Sequence, residues 1–469
     1  MLFPTLSFLL FFVVVTALLA LLDGAGRHEW RKLVLVAASY WFYAQWDWRF
    51  CFLLAGSSVW TWGAGLLLGR AAGDRTRRAV VGVAVAGHLL LLGVFKYADF
   101  FIGSANDLLH RAGLARELPF IEILLPVGIS FFTFHGISYV VDVYRDQVAV
   151  CRRLVDMLLY ISFFPQLVAG PIVRAAFFLP QLYAPDTRRF DPVPALLLIA
   201  GGLFKKVVIA TGLATLLVDP VFADPGHATS IDLLLAGYGY AVQIYCDFSA
   251  YTDIAIGVAA LLGYAFPPNF DQPYRAASLQ EFWRRWHISL SFWLRDYLYK
   301  PLGGSRRGRV RTLVNLMVTM LLGGIWHGAA WKFVTWGALH GGGLVVNRLL
   351  QPFRLFRGRG GHLLAVLLTF HFVCFAWLFF RADSFETVLL FLDQLASLEP
   401  GMQQATPYTL GLILLGLALH ALPRDLVLRL SDSVRPLRWW GVAAVFGAVV
   451  LAIDAMGTEG VAPFIYFRF

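Results

Sequence analysis

The chain has 469 residues, 59% of them apolar and 14% charged, with 39 Lys and Arg against 29 Asp and Glu and a net charge of +10. Charged residues make up about a quarter of an average soluble domain. The composition therefore excludes a soluble globular enzyme. It also excludes a disordered chain or a nucleic-acid-binding one, whose basic patches need a polar surface. The four cysteines (Cys51, Cys151, Cys246, Cys374) stand singly in apolar stretches, without a C-x-x-C pair or a histidine at ligand spacing. Neither a disulfide framework nor a metal site is expected, and the cysteines read as small buried hydrophobes.

A helix needs about 20 mostly apolar residues to cross a bilayer core. Runs of that order predict spans at 1–22, 33–46, 51–69, 79–95, 123–141 and 207–218. Further spans are predicted at 233–246 continuing to 264, 312–331, 333–347, 360–380, 405–423 and 439–453, about twelve in all. The first run lacks a basic flank and a small-x-small cleavage site, so it reads as a span rather than a leader. The expected fold class is all-α and integral to the membrane.

Basic residues gather after the first, third and fifth spans: Arg27, Arg31 and Lys32, then Arg70, Arg75, Arg77 and Arg78, then Arg145, Arg152 and Arg153. Others fall at Lys205–Lys206, from Arg275 to Arg311, around Arg348, Arg354, Arg357 and Arg359, and at Arg424, Arg429, Arg435 and Arg438. Cytoplasmic loops carry this excess. The alternation places the basic loops inside and both termini outside. The positive charge is then topological, with anionic lipid headgroups as its partner and no nucleic acid. Residues 154–173, broken by Pro165, Gly170 and Pro171, and 194–204, too short to cross, read as re-entrant or interfacial pieces. Irregular backbone at membrane depth requires protein or a water-filled cavity around it. Residues 1–469 read as one membrane domain: N-terminal spans 1–120, a motif-bearing core 121–350, and C-terminal spans 351–469.

Three polar constellations interrupt the apolar pattern. Asp247 and Asp253 lie inside an otherwise spanning run, one helical turn from Tyr251 and Ser249 respectively. Ionisable groups there face a bundle interior or a cavity, so they either fix helix packing or shape a cavity. Residues 278–300 read as an amphipathic interfacial helix. Ser278 and Glu281 form its capping box, Leu279, Phe282, Trp283, Trp286, Leu290 and Trp293 make its apolar stripe, and Pro301 stops it. His287 falls on that stripe, as a packing residue or a functional one. The third constellation is Gly323-Gly324-Ile325-Trp326-His327-Gly328-Ala329-Ala330-Trp331. A helix starting near Arg311 carries His327 about 24 Å along its axis, between the bilayer midplane and its outer half.

A neutral imidazole at that depth can take the proton from a hydroxyl that attacks a carbonyl. Transfer from a thioester to an alcohol needs little beyond such a base, a channel and donors for the oxyanion. The alternative is a histidine that bridges helices by hydrogen bonds. Trp326 and Trp331 are the expected walls of its pocket. His340, followed by three glycines, and the lone His88, His371 and His420 read as packing or interfacial residues. G-x-S-x-G and H-E-x-x-H are absent, which argues against a serine hydrolase or a metalloprotease.

These stretches resemble the membrane-bound O-acyltransferase family, in its bacterial polysaccharide branch. The matching segments are Pro126–Phe134, Phe163–Pro171, Asp247-Phe248-Ser249 with Asp253, Glu281–His287, Leu294–Tyr299 with Pro301–Gly304, Trp326-His327-Gly328 and the terminal Phe464-Ile465-Tyr466-Phe467. The resemblance implies many helices around a central funnel, with His327 at the catalytic position and His287 at that of a second, supporting histidine. It implies acetyl-CoA as acyl donor rather than a bound cofactor. It further implies periplasmic polysaccharide-acetylation proteins and a polymer synthase complex as partners, an exopolysaccharide of alginate or cellulose type as acceptor, and the bacterial inner membrane as location. D-alanyl transfer toward teichoic acid, and a non-enzymatic polymer or lipid transporter, are the competing readings. No residues for the donor are legible beyond the arginines at 306–311, which topology explains equally well.

Overall fold

A computed structural model describes all residues except 1, 2, 4, 25, 26, 115, 168, 169, 184–190, 352–355, 357, 458–461 and 466–469. Of the segments singled out above, Val168, Ala169, Arg354, Arg357, Tyr466 and Phe467 lie outside the described residues. The described chain is helical, with no strand among those residues. In hydrocarbon, backbone groups must be satisfied within the segment, and an α-helix does so without edges. The chain divides into two compact units.

The first unit holds Met1–Arg189 and Leu262–Phe266. Its helices are α1 (Leu6–Gly24), α2 (His28–Asp47), α3 (Phe50–Arg70), α4 (Asp74–Leu92), α5 (Ala98–Arg111), α6 (Ile129–Tyr144), α7 (Leu154–Ser162), α8 (Phe164–Leu167) and α9 (Ala175–Tyr183). Leu6, Leu9, Leu10, Val13 and Val14 of α1 are exposed, a surface suited to lipid rather than water. A buried ion pair, Lys32 Nζ to Asp156 Oδ1 at 2.9 Å, ties α2 to α7. Gly128 starts α6 at φ 75°, where a Cβ would stand 2.4 Å from the Leu167 carbonyl oxygen. Only glycine fits that turn.

The second unit holds Phe190–Leu261 and Pro267–Phe469. It begins with α10 (Pro192–Phe204), α11 (Thr211–Leu213) and α12 (Asp219–Ala223), joined by π-helical turns into one element, Pro192–Ala223. This corrects the expectation that 194–204 is a separate piece and 207–218 a span of its own. Lys205 and Lys206 do not precede a span, as the sequence suggests; they sit mid-element and meet carboxylates of α13 (Ser230–Leu261). Lys206 Nζ is 2.7 Å from Asp247 Oδ1, and Lys205 Nζ is 2.6 Å from Asp253 Oδ2.

Residues 278–300 are likewise not one helix. The chain forms α14 (Leu279–Arg285), breaks at Trp286 and His287, and resumes as α15 (Ile288–Leu294) with a π turn at Arg295–Tyr299. The start follows the sequence only in part. Ser278 Oγ accepts from Glu281 N–H at 3.2 Å, but the Glu281 carboxylate reaches back to Ala277 N–H at 2.9 Å rather than to Ser278. There follow α16 (Arg309–His327), α17 (Trp331–Leu350), α18 (Gly358–Arg381), α19 (Phe385–Ala396), α20 (Pro407–Ala418), α21 (Leu426–Val434) and α22 (Trp439–Met456).

Among the described residues, eight helices are long and apolar enough to cross a membrane, or nine if the pair Pro407–Ala421 and Leu426–Val434, bent by 90°, makes one span. The sequence predicts about twelve. The runs at 33–46, 123–141 and 333–347 account for the difference. They fall in α2 and α17, which carry more polar side chains, and in α6, which has only 16 residues.

Candidate active site

His327 is the last residue of α16, where Gly328 takes the chain into extended backbone. Three glycines set its surroundings. A Cβ at Gly324 would lie 2.2 Å from the Phe333 carbonyl oxygen, one at Gly337 would lie 2.5 Å from the Met320 carbonyl oxygen, and one at Gly328 would lie 2.1 Å from the Phe333 ring. The α16–α17 hairpin is thus closed by backbone contact, the close approach that small residues permit between membrane helices. Gly324→Ala should force the two helices apart and cost about 1–3 kcal/mol. The loss should appear as a lower unfolding temperature in detergent. Gly82→Ala, with nothing within 4 Å of its Cβ, should show no loss.

The His327 ring is almost wholly buried, 4% exposed. It meets Trp326, Trp336 and Phe380 edge-on, with ring centroids at 4.9, 5.0 and 5.3 Å. Trp326 is a wall of this site, as the sequence predicts; Trp331 is not, since it is 56% exposed. Trp336, five residues beyond Trp331 and so about 1.4 helical turns on, takes that place, its ring 5.0 Å from that of His327.

His287 is fully buried and packs against the other side of this cluster, its ring 6.1 Å from that of Trp326 and 4.7 Å from that of Phe248. The structure therefore brings both sequence-predicted histidines onto one indole. The break in the 278–300 helix is what does so: His287 adopts φ 41°, ψ 57°, a left-handed conformation that a continuous helix would not allow. Its Nδ1 is 3.2 Å from Asn269 Oδ1, a partner in the irregular segment after Pro267 and Pro268 that sequence reasoning passed over. The only signal was a turn-forming Pro-Pro-Asn, which carries no chemistry by itself.

The Asp247 motif joins the same neighbourhood through Phe248. Asp247 accepts from Ile465 N–H at 2.9 Å besides meeting Lys206, and the Phe464 ring packs tilted against that of Tyr251, centroids 4.2 Å apart. Lys206, Gln243, Asp247, Lys332, Arg381 and Ile465 help to line a cavity of about 120 Å³. Arg381 follows Phe380, the ring that walls His327. So Asp247 lines a polar cavity as the ion-pair partner of Lys206, while Asp253 pairs with Lys205, which also donates to Ser249 Oγ at 2.8 Å.

The four other histidines weighed from the sequence each have a polar contact. His340 Nδ1 accepts from Trp283 Nε1–H at 3.3 Å, and its ring lies 4.6 Å from that of Trp336. His88 meets Thr61 Oγ1 at 3.1 Å, His371 meets Tyr238 OH at 2.9 Å, and His420 Nδ1 stands 3.3 Å from the Gly416 carbonyl oxygen. Among the described residues no three His, Cys, Asp or Glu side chains are grouped to hold a metal ion.

Residues 131–385 match the membrane-bound O-acyltransferase family. The chain is 38% identical, over the whole of both chains, to a probable alginate O-acetylase of Pseudomonas putida. It is 36% identical to a peptidoglycan O-acetyltransferase of Helicobacter pylori, over 78% of this chain and 74% of that one. A teichoic acid D-alanyltransferase of Bacillus subtilis is 30% identical over 55% of this chain and 69% of its own length. All-helical and multi-pass, with a buried histidine closing the α16–α17 hairpin inside the matched region, the chain belongs to the membrane-bound O-acyltransferase family and is an O-acyltransferase.

Proposed function

We propose that the protein is an O-acetyltransferase of the bacterial inner membrane, with its basic loops in the cytoplasm and both termini outside. It takes an acetyl group from a cytoplasmic thioester, acetyl-CoA, and delivers it across the membrane to a hydroxyl. That hydroxyl belongs to an exopolysaccharide of alginate or cellulose type, or to a periplasmic partner that hands the acetyl group on. The observation that carries this reading is the place of His327: an imidazole at the end of a spanning helix, nearly sealed among three aromatic rings, with a second imidazole against the same indole.

In this reaction His327 takes the hydroxyl proton as the oxygen attacks the thioester carbonyl. The new ester C–O bond forms, the C–S bond breaks, and the proton leaves with the thiolate. The aromatic cage excludes water, which would otherwise hydrolyse the thioester. A polyanionic donor has a matching surface at the other end of α16. There a cavity of about 550 Å³ is lined by Ser305, Gly308, Arg309, Thr312, Arg348 and Gln351. The names of the alginate and peptidoglycan O-acetylating relatives support acetyl as the group transferred. Polysaccharide-acetylating proteins and a polymer synthase complex are the expected partners.

The test is chemical. Purified protein in vesicles, supplied with acetyl-CoA labelled in the acetyl group, should place label on an oligosaccharide hydroxyl or on a co-expressed periplasmic acceptor. Label moving only from a D-alanyl carrier thioester would instead establish the D-alanyl reading that the Bacillus subtilis relative supports. In cells, a transporter predicts that loss of the protein lowers the amount of exported polymer. The acetyltransferase predicts normal amounts that lack acetyl esters.

A further inference from the structure

Asn269 is 1% exposed and spends both of its oxygens on the start of α15. Its main-chain oxygen accepts from Ile288 N–H at 2.9 Å. Its side-chain Oδ1 accepts from Ser289 N–H at 3.0 Å and from Ser289 Oγ–H at 2.8 Å. A backbone N–H can only donate, so the amide must turn its oxygen, not its nitrogen, toward Ser289. That same oxygen stands 3.2 Å from His287 Nδ1. An amide oxygen can only accept, so Nδ1 carries the proton. In a neutral imidazole with its proton on Nδ1, Nε2 is left as a bare acceptor.

The ring is neutral because it is buried. His287 lies outside the helices long enough to cross the membrane, and burial alone pushes its pKa down to about 3. Yet among the described residues Nε2 has no hydrogen-bond partner, and neither has Asn269 Nδ2. Leaving a buried acceptor unsatisfied costs about 1–3 kcal/mol. The left-handed backbone at His287 costs about 1–3 kcal/mol more. Such expense is concentrated at sites where a ligand or a water supplies what is missing.

We infer that Asn269 is a positioning residue of the active site: it locks His287 in the tautomer protonated at Nδ1 and so presents the Nε2 lone pair to a donor on the incoming substrate other than the hydroxyl whose proton His327 takes. The inference rests on the reading of His327 and His287 as one acyl-transfer site and adds a residue that acts through His287. A single amide oxygen, fixed by a backbone N–H, thereby decides which end of the imidazole is the acceptor.

Two measurements test it on the full-length protein in detergent. The first is the ¹⁵N spectrum of histidine-labelled protein, with the His287 signals assigned by their loss in His287→Gln. Nε2 should show as the unprotonated nitrogen; a protonated Nε2 overturns the inference. The second uses Asn269→Asp, which keeps an acceptor for all three donors and so keeps the fold. A carboxylate beside the ring stabilises its protonated form, so the acidic limb of the pH–rate profile should move up by about 1–3 pH units. If His287 takes no part in the reaction, that limb stays where it is in the unaltered protein, and that result also overturns the inference. Asn269→Ala should lose activity that Asn269→Asp retains at alkaline pH. Should acetyl-CoA prove not to be the donor, the acetyl reading fails while the spectrum still decides the tautomer.

Discussion

His327→Gln is expected to lower the rate of acyl transfer by about 10²- to 10⁴-fold, the usual contribution of a positioned general base. Glutamine fills a similar volume and keeps a polar end, so the cage of Trp326, Trp336 and Phe380 should stay closed. The unfolding temperature and the yield of folded protein should therefore hardly move. Thioester binding should also persist, because the change removes a proton acceptor and leaves the arginines at the other end of α16 untouched. The comparison that gives the result its meaning is His340→Gln. Both imidazoles touch the Trp336 ring, but His340 Nδ1 is taken by Trp283. His340→Gln should cost stability and leave the chemical step largely intact. Labelled acetyl transfer and thermal unfolding, measured on the same preparations, separate the two. An unchanged rate in His327→Gln would falsify the assignment of the base.

The second large effect is on stability. Asp247→Asn should destabilise the protein by about 3–5 kcal/mol, the range seen when one member of a buried pair is removed. Lys206 is 1% exposed and Asp247 3%, so the ammonium left behind would have only the small polar cavity it lines and the Pro463 carbonyl oxygen at 3.4 Å in place of its counter-charge. Asparagine would still accept from Ile465 N–H through its amide oxygen, which leaves the lost charge as the main difference. Combining Asp247→Asn with Lys206→Met removes both charges and should recover most of the loss, because a buried pair is often no better than apolar side chains of similar volume. Unfolding of the three variants in detergent measures the cycle. Equal losses in the single and double variants would show that the pair acts through geometry rather than charge.

The lysines of this pair illustrate where a reading of sequence goes astray. Lys205 and Lys206 look like a cytoplasmic basic cluster because charge at a span's edge is cheap and charge inside it is not. The chain instead carries both into the middle of a 32-residue element, where Asp247 and Asp253 on a neighbouring helix offset the penalty. Positions far apart in sequence had to be brought within 3 Å before either made sense. The same holds for His287, whose place on an apolar stripe argues for packing as long as the stripe is one helix. A left-handed turn breaks it, and only a fold that supplies Asn269 from 18 residues upstream can hold that turn.

What the sequence determined by itself is the solvent and the secondary structure. Its composition demands lipid, lipid demands helices, and a histidine between glycines and tryptophans near the end of a spanning run already marks a candidate site, because each of these follows from local residues and the cost of unsatisfied backbone. The fold was needed to show which runs form helices long enough to cross, which tryptophan walls His327, which charges pair, and what faces each nitrogen of His287. Those are outcomes of contacts between helices, and an apolar run carries no record of the neighbour that will finally cover it.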